Sequence, residues 1–380
     1  MAAAGMHGLG QLVWNLAKWM RRVGLRRKSR PNCGLKVKIP AGELRGWATR
    51  VLVAAGVRED HAALVADSLV KASLRGVDSH GVQLLVNYLD QLHFGDMDAG
   101  AVGEVVSETG GLLVYDGHNG IGQVVASICG DHAVRLARTH GIGFVVARES
   151  NHFGAAAYWA ERISSHDLMG VVFCNASPIV PPWQAKEPRF GTNPICMSVP
   201  KGERDPWLLD MATTTVAAGK IFKARMNGVP NVPAGWAMDK DGVPTTDTEA
   251  AYQGLLMPLG GYKGSGLAFM VEILTGVIGG GAMSTELGGI RFRGKKVRAS
   301  QAFLAIDVLK MQPDFRERLD WLIGHVKEAA PAVGFDEVLV ANEPELRTER
   351  ARLAEGVTVP DGTWEQLLGN ARRVGVGPPT

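Results

Sequence analysis

No aspartate or glutamate occurs before Glu43, while Lys18, Arg21, Arg22, Arg26, Arg27, Lys28, Arg30, Lys36 and Lys38 are all basic. A stretch of one charge sign cannot pair its own charges. Leu12, Leu16, Trp19 and Val23 recur at helical spacing, but Gly24, Arg30, Pro31 and Gly34 interrupt the pattern. Residues 1–36 therefore read as a disordered basic extension outside the fold. An organellar transit peptide and a membrane-surface helix are the functional alternatives. Without the extension the chain is mildly acidic, which leaves a nucleic-acid role with little electrostatic support. Cysteine is also scarce. Cys33, Cys129, Cys174 and Cys196 show no C-x-x-C spacing, which argues against a zinc knuckle or a disulfide framework and fits a reducing, cytoplasmic setting. No apolar run approaches the roughly 20 residues that cross a bilayer. No internal repeat is present, and no H-x-H or H-x-x-x-H spacing marks a metal site.

What is present is 380 residues with 46% hydrophobic content, enough for one large domain or two. Two histidines stand out. His80 lies in RGVDSHG and His152 in RESNHFGAAAYW, each among small or polar residues that let a ligand approach. Histidine titrates near neutrality, so both are candidate acid/base groups, with a structural role as the plain alternative.

From Pro40 the pattern is helical, with Leu44, Trp47, Val51 and Leu52 on one face and Gly56 closing the segment. A second helix carries Leu64, Val65, Leu69, Ala72 and Leu74. A third runs from about Val82 to Leu92, with His80 near its amino end. Around Gly110 the period changes to 2, starting with the strand GLLVYDG. GIGQVVASICGDHAVRLARTHG and the strand GIGFVVAR then imitate a dinucleotide-binding βαβ unit, with Gly120 and Gly122 as its first glycines. Val125 occupies the third glycine position, and the only acid near the next strand end is Glu149, so a strand and helix of another α/β fold is expected. After His152 come a short helix, the strand MGVVFCNAS and the irregular loop PPWQAKEPRFGTNPI, a suitable place for a binding site. A polar connector precedes LLMPLGGYKGSGLAFMVEILTGVIGGG, whose glycines let Lys263 approach a phosphate and whose apolar run reads as a buried helix. Lys263 is followed by Gly264, so this is not a Walker A loop. After the strand QAFLAIDV the remainder is mainly helical.

RGVDSHG, SNHFG, KEPRFGTNP, LLDMATT and LGGYKGSG, in this order and at these separations, resemble the malate/lactate dehydrogenase family of the type-2, sulfolactate dehydrogenase-like kind, over roughly Val37 to Leu368. The resemblance implies an NAD- or NADP-dependent oxidoreductase of small 2-hydroxy and 2-oxo acids, or of cyclic imino acids, working as a homodimer. It implies a non-Rossmann α/β fold with a mixed-sheet nucleotide-binding core. The implied domains are a helical part at 37–109, the α/β domain at 110–310 and a second helical part at 311–372. By the same resemblance His80 or His152 transfers the proton, and Ser79, Tyr88, Lys186, Thr192 and Asn193 lie at the substrate. Pro206, Trp207, Leu208, Leu209, Asp210, Met211, Ala212, Tyr262, Lys263, Asn342, Glu343 and Pro344 match cofactor-contacting segments. Two departures stand out: Leu84, where many relatives carry an arginine suited to a substrate carboxylate, and Asn342, where glycine is common.

Overall fold

The computed structural model describes residues 36–291 and 293–379. The basic extension lies outside the described residues except for Lys36, which opens strand β1 (Lys36–Ile39).

Helix α1 (Ala41–Ala54) forms where Leu44, Trp47, Ala48, Val51 and Leu52 recur every three or four residues, and all five are buried. In α2 (Glu59–Leu74), Glu59 and Asp60 occupy the first turn, where acids complement the helix dipole. The expected third helix is shorter than its apolar pattern. His80 ends one 3-10 turn (Asp78–His80), Val82–Leu84 forms a second, and α3 (Leu85–Phe94) starts only then. Gly81 is extended between the two turns and packs so closely on α2 that a Cβ there would collide with Ser73. The Ser73 hydroxyl accepts the Val82 N–H at 3.0 Å, so the joint is fixed by α2 and not by helix propensity.

The central sheet begins with β2 (Glu104–Thr109) and β3 (Leu112–Asp116). Helix α4 (Gly122–His140) leads to β4 (Ile142–Ser150), and α5 (Ala156–Ser164) leads to β5 (Met169–Cys174), β6 (Ile195–Ser198) and β7 (Leu208–Met211). After α6 (Ala218–Met226) comes a small sheet of β8 (Ala237–Met238), β9 (Pro244–Thr245) and, beyond α7 (Thr248–Gln253), β10 (Leu255–Leu256). The polar connector expected here thus contains structure, in strands of two residues that are too short to show alternation. Helix α8 (Tyr262–Glu272) runs into a π turn, Ile273–Val277. Then follow β11 (Ala299–Ile306), α9 (Val308–Met311), α10 (Phe315–Lys327), α11 (Glu343–Glu355), β12 (Val357–Pro360) and α12 (Asp361–Arg373).

The seven-stranded sheet has the order β2-β3-β4-β11-β5-β6-β7, and only β3 and β4 pair in parallel. β2 shows no hydrophobic alternation because its six residues are all exposed at the sheet edge. α4 and α5 cover one face of the sheet with a core that includes Cys129, Leu136, Trp159, Ile163 and Phe303. The other face packs Val146, Phe173 and Ala302 against Val271 of α8. α8 is not the buried helix its composition suggests, since Phe269 is 56% exposed and Val277, in the turn that follows, is 54% exposed. A separate core joins α1, α2 and α3 to Val357, Val359, Leu367 and Ala371, and β1 pairs antiparallel with β12.

Gly120 and Gly122 are not placed to cradle a pyrophosphate. A Cβ on Gly122 would strike the carbonyls of Asn151 and His152, and one on Gly120 would strike that of Ala101, so the chain's own backbone occupies the space a ligand would need. The glycines let the His152 loop approach α4.

Candidate active site

The fold brings the two histidines together. Their rings stack 5.6 Å apart between centroids at an interplanar angle of 19°. His80 comes from the helical side and His152 from the loop after β4, so residues 72 positions apart in sequence form one site. That loop is fixed from below. Asn151 is fully buried, its side-chain amide donates to the carbonyls of Asn119 (2.9 Å) and Gly120 (3.0 Å), and its backbone carbonyl accepts the Gln301 side-chain amide (2.7 Å).

The hydrogen-bond network assigns the His152 tautomer. The Gly154 N–H, which can only donate, points at Nδ1 from 3.3 Å. Tyr88 Oη lies 2.8 Å from the same atom and receives the Gln123 amide at 2.8 Å, so the Tyr88 proton is directed to Nδ1. Nδ1 therefore accepts and Nε2 carries the proton. His80 Nδ1 lies 3.0 Å from Ser79 Oγ, an arrangement that suits either tautomer. Among the described residues neither Nε2 has a hydrogen-bond partner. Burial, and secondarily the Arg291 charge, pushes His80 down to about 4. Burial, then His80, then Arg291 pushes His152 down to about 3. Burial also raises the Tyr88 hydroxyl. Near neutral pH the site thus holds two uncharged imidazoles and a protonated phenol, a set able to polarise and exchange a proton with one oxygen.

The other expected substrate residues lie on the long loop between β5 and β6. Asn193 is fully buried and its side chain is engaged: Nδ2 donates to Ala268 O and Glu272 Oε1, both at 3.0 Å, and Oδ1 accepts the Ala176 N–H at 3.0 Å. The Thr192 carbonyl accepts both the backbone N–H (2.9 Å) and the hydroxyl (3.0 Å) of Thr213. These two residues anchor the loop. Lys186 is exposed, its Cβ lies against Gly242, and among the described residues its ammonium makes no hydrogen bond or ion pair.

The segments expected at the cofactor converge in part. Asn342 sits at the amino end of α11 with φ +85, donates to the Pro206 carbonyl at 2.6 Å and accepts Arg75 Nη2 at 2.5 Å. Asp210 of β7 accepts the Ala157 N–H near the start of α5 at 3.1 Å. Trp207, Leu209, Met211 and Ala212 are half-buried beside the buried Leu208. Glu343 pairs with Lys327, and Pro344 opens α11. Tyr262 and Lys263 are exposed at the amino end of α8, and among the described residues neither side chain makes a hydrogen bond or ion pair. A cavity of about 180 Å³ is lined by Arg204, Pro206, Lys327 and Glu343, among others.

This arrangement fits an anionic dinucleotide. Arg75 is only 5% exposed and its Nη1 faces the Glu349 carboxylate at 3.8 Å, yet among the described residues its Nε has no hydrogen-bond acceptor, beside a helix amino terminus where backbone N–H groups also favour an anion. By contrast, the carboxylates that could join the histidines around a metal are directed elsewhere. Asp78 pairs with Arg352 and Asp210 holds Ala157. Among the described residues no group of three or more His, Cys, Asp or Glu side chains is placed to hold a metal ion.

Sequence reasoning missed Gln123, Gly154, Arg291 and the part played by Arg75. A lone amide in the otherwise apolar GIGQVVA run was a readable signal for Gln123. Nothing in the local sequence marked Arg291, because its relation to the histidines is purely tertiary.

The family model described as malate/L-lactate dehydrogenase matches residues 39–368. Malate dehydrogenase from Pyrococcus horikoshii is 36% identical over 350 residues, covering 90% of this chain and 96% of that protein. The solved sulfolactate dehydrogenase from Methanocaldococcus jannaschii superposes with a TM-score of 0.85 at 33% identity, covering 90% of this chain and 98% of that one. Delta1-piperideine-2-carboxylate reductase from Pseudomonas syringae pvar. tomato superposes with a TM-score of 0.79 at 28% identity, covering 88% and 99%. A match across nearly the whole described chain, together with the paired histidines, places it: the protein belongs to the malate/L-lactate dehydrogenase family.

Proposed function

We propose that this 2-hydroxy acid dehydrogenase moves a hydride between NAD or NADP and C2 of a small 2-hydroxy or 2-oxo acid. The observation that carries the reading is the stacked His80–His152 pair, whose Nε2 atoms have no hydrogen-bond partner among the described residues. The bound nicotinamide would supply the redox chemistry. The chain's own residues handle the proton. His152, held by Tyr88 and Gly154 with its proton on Nε2, donates to the substrate's C2 oxygen. In the tautomer whose Nδ1–H is directed to Ser79 Oγ, His80 offers the Nε2 lone pair, takes the hydroxyl proton during oxidation and returns it during reduction. Thr192 and Asn193 hold the loop that carries Lys186 to the substrate. Pro206–Ala212 and Asn342–Pro344 border the cofactor, Arg75 supplies N–H donors to it, and Lys263 serves its phosphates.

The same reading includes a cofactor fold outside the Rossmann class, a helical domain built from both chain ends, and a cytoplasmic homodimer. The filled space at Gly120 and Gly122 supports the first and the shared core of the two chain ends supports the second. The exposed face formed by Phe269, Met270, Ile273 and Val277 supports a partner surface. Among the described residues no helix is long and apolar enough to cross a membrane.

Titration with NADH and NADPH by fluorescence, with and without chelator, followed by assays of small 2-oxo acids, tests the reading. Chelator-insensitive binding with 2-oxo acid reduction is the expected outcome. Turnover of cyclic imino acids alone would favour the activity named for the Pseudomonas structure, since the same imidazoles serve a ring nitrogen. Binding without any turnover would leave a silent cofactor-binding dimer.

A further inference from the structure

A 2-oxo acid brings a carboxylate next to its reacting carbonyl, and taking that anion out of water is costly unless a cation or N–H donors receive it. The helical wall of the site offers none at position 84, because Leu84 is an alkyl side chain buried to 3% exposure. A second segment lies against the same wall. The Gln91 amide, one turn after Tyr88 on α3, donates to the Ile290 carbonyl at 3.3 Å. Arg293 pairs with Asp90 at 3.0 Å, and the Gly294 N–H donates to Asp96 at 2.8 Å. On its other side, Ser177 Oγ donates to the Gly288 carbonyl at 2.6 Å, which ties the segment to the loop after β5. Residue 291 is thus held between α3 and the proposed substrate loop.

Arg293, two positions on, is committed to Asp90, whereas the Arg291 guanidinium makes no hydrogen bond or ion pair among the described residues. It is also the cation whose charge reaches both imidazoles. A planar guanidinium fork matches a carboxylate with two parallel N–H···O bonds, which neither lysine nor an alkyl chain can reproduce.

We propose that Arg291 is the substrate-carboxylate clamp of this site, supplied from the segment before β11 in place of a charge at position 84. The proposal rests on the 2-oxo acid reading, and it fixes the ligand as a carboxylate placed beside the C2 oxygen that His152 polarises.

The test compares wild type, Arg291→Gln and Arg291→Lys in the full-length protein with reduced cofactor. Oxamate, an unreactive isostere of a 2-oxo acid, is titrated by calorimetry, and pyruvate and methyl pyruvate are assayed for reduction. A charge-assisted bidentate contact contributes about 1.5–3 kcal/mol, so Arg291→Gln should weaken oxamate roughly 10- to 100-fold. It should raise KM for pyruvate more than it lowers kcat and reduce the preference for pyruvate over its ester, while Arg291→Lys recovers part of the loss. Oxamate binding equal to wild type in Arg291→Gln, or none in wild type, overturns the clamp. Arginine-dependent oxamate binding in a protein that reduces neither compound would uphold the clamp and overturn the dehydrogenase reading, so the two failures are separable.

Discussion

Tyr88 Oη and His152 Nδ1, 2.8 Å apart, join the helical side of the molecule to the sheet side at the histidine pair. Tyr88 is 2% exposed and in turn accepts the buried Gln123 amide, so the phenol has little freedom to point elsewhere. The contact therefore sets which imidazole nitrogen carries the proton.

Tyr88→Phe should keep the packing but release His152 to take either tautomer. Positioning partners of this kind contribute about 10- to 100-fold, and kcat should fall by that order with cofactor affinity unchanged. The stranded Gln123 amide should lower stability by about 1–3 kcal/mol, measurable by denaturant unfolding. Unchanged kcat would remove Tyr88 from the proton machinery.

Substitution of the histidines should separate their roles. A positioned proton-transfer group is worth about 10² to 10⁴ in rate, so His80→Ala and His152→Ala should each lower turnover strongly while the cofactor still binds. With His80 as the proton acceptor, His80→Ala should abolish the acidic limb of the pH–rate profile for 2-hydroxy acid oxidation. His152→Ala should lower the whole profile but retain that limb. The reverse pattern would exchange the two assignments, and near-normal turnover in both variants would refute acid/base chemistry here.

The low values of the two histidines also predict acid sensitivity. An unfolded histidine takes a proton near pH 6.5, whereas folded His80 and His152 resist it down to about 4 and about 3. Between those limits the unfolded chain binds more protons, so this contribution is fully present above about pH 6.5 and is lost progressively as pH falls. Urea midpoints should drop between pH 7 and pH 5, and by less in His152→Gln. An equal drop in that variant would attribute the acid loss to other groups.

Asn342→Gly tests the Arg75 group without straining the backbone, because glycine tolerates φ +85 at no steric cost. The change removes the acceptor of Arg75 Nη2 and the donor to the Pro206 carbonyl. Cofactor affinity should weaken by roughly tenfold, equivalent to about 1.4 kcal/mol, with kcat at saturating cofactor preserved. An unchanged dissociation constant by fluorescence would separate this junction from the cofactor.

Local pattern determined a great deal of this protein. The apolar spacing of α1 and α2, the alternation in β3 and β4, and the setting of His80 and His152 are properties of short windows, where side-chain periodicity and glycine placement act directly. The paired histidine motifs were legible for the same reason. What only the tertiary structure decided depends on residues far apart in sequence. β2 carries no alternation because it lies exposed at the sheet edge, and α8 carries an apolar face that its own chain does not cover. Gly120 and Gly122 resembled phosphate-binding glycines until the His152 loop was seen to fill the space before them. The tautomer of His152 depends on Tyr88, 64 positions upstream, and Arg75 meets its acceptor 267 positions downstream. Hydrogen-bond geometry and charge act through space, so these relations arise only once the chain has folded.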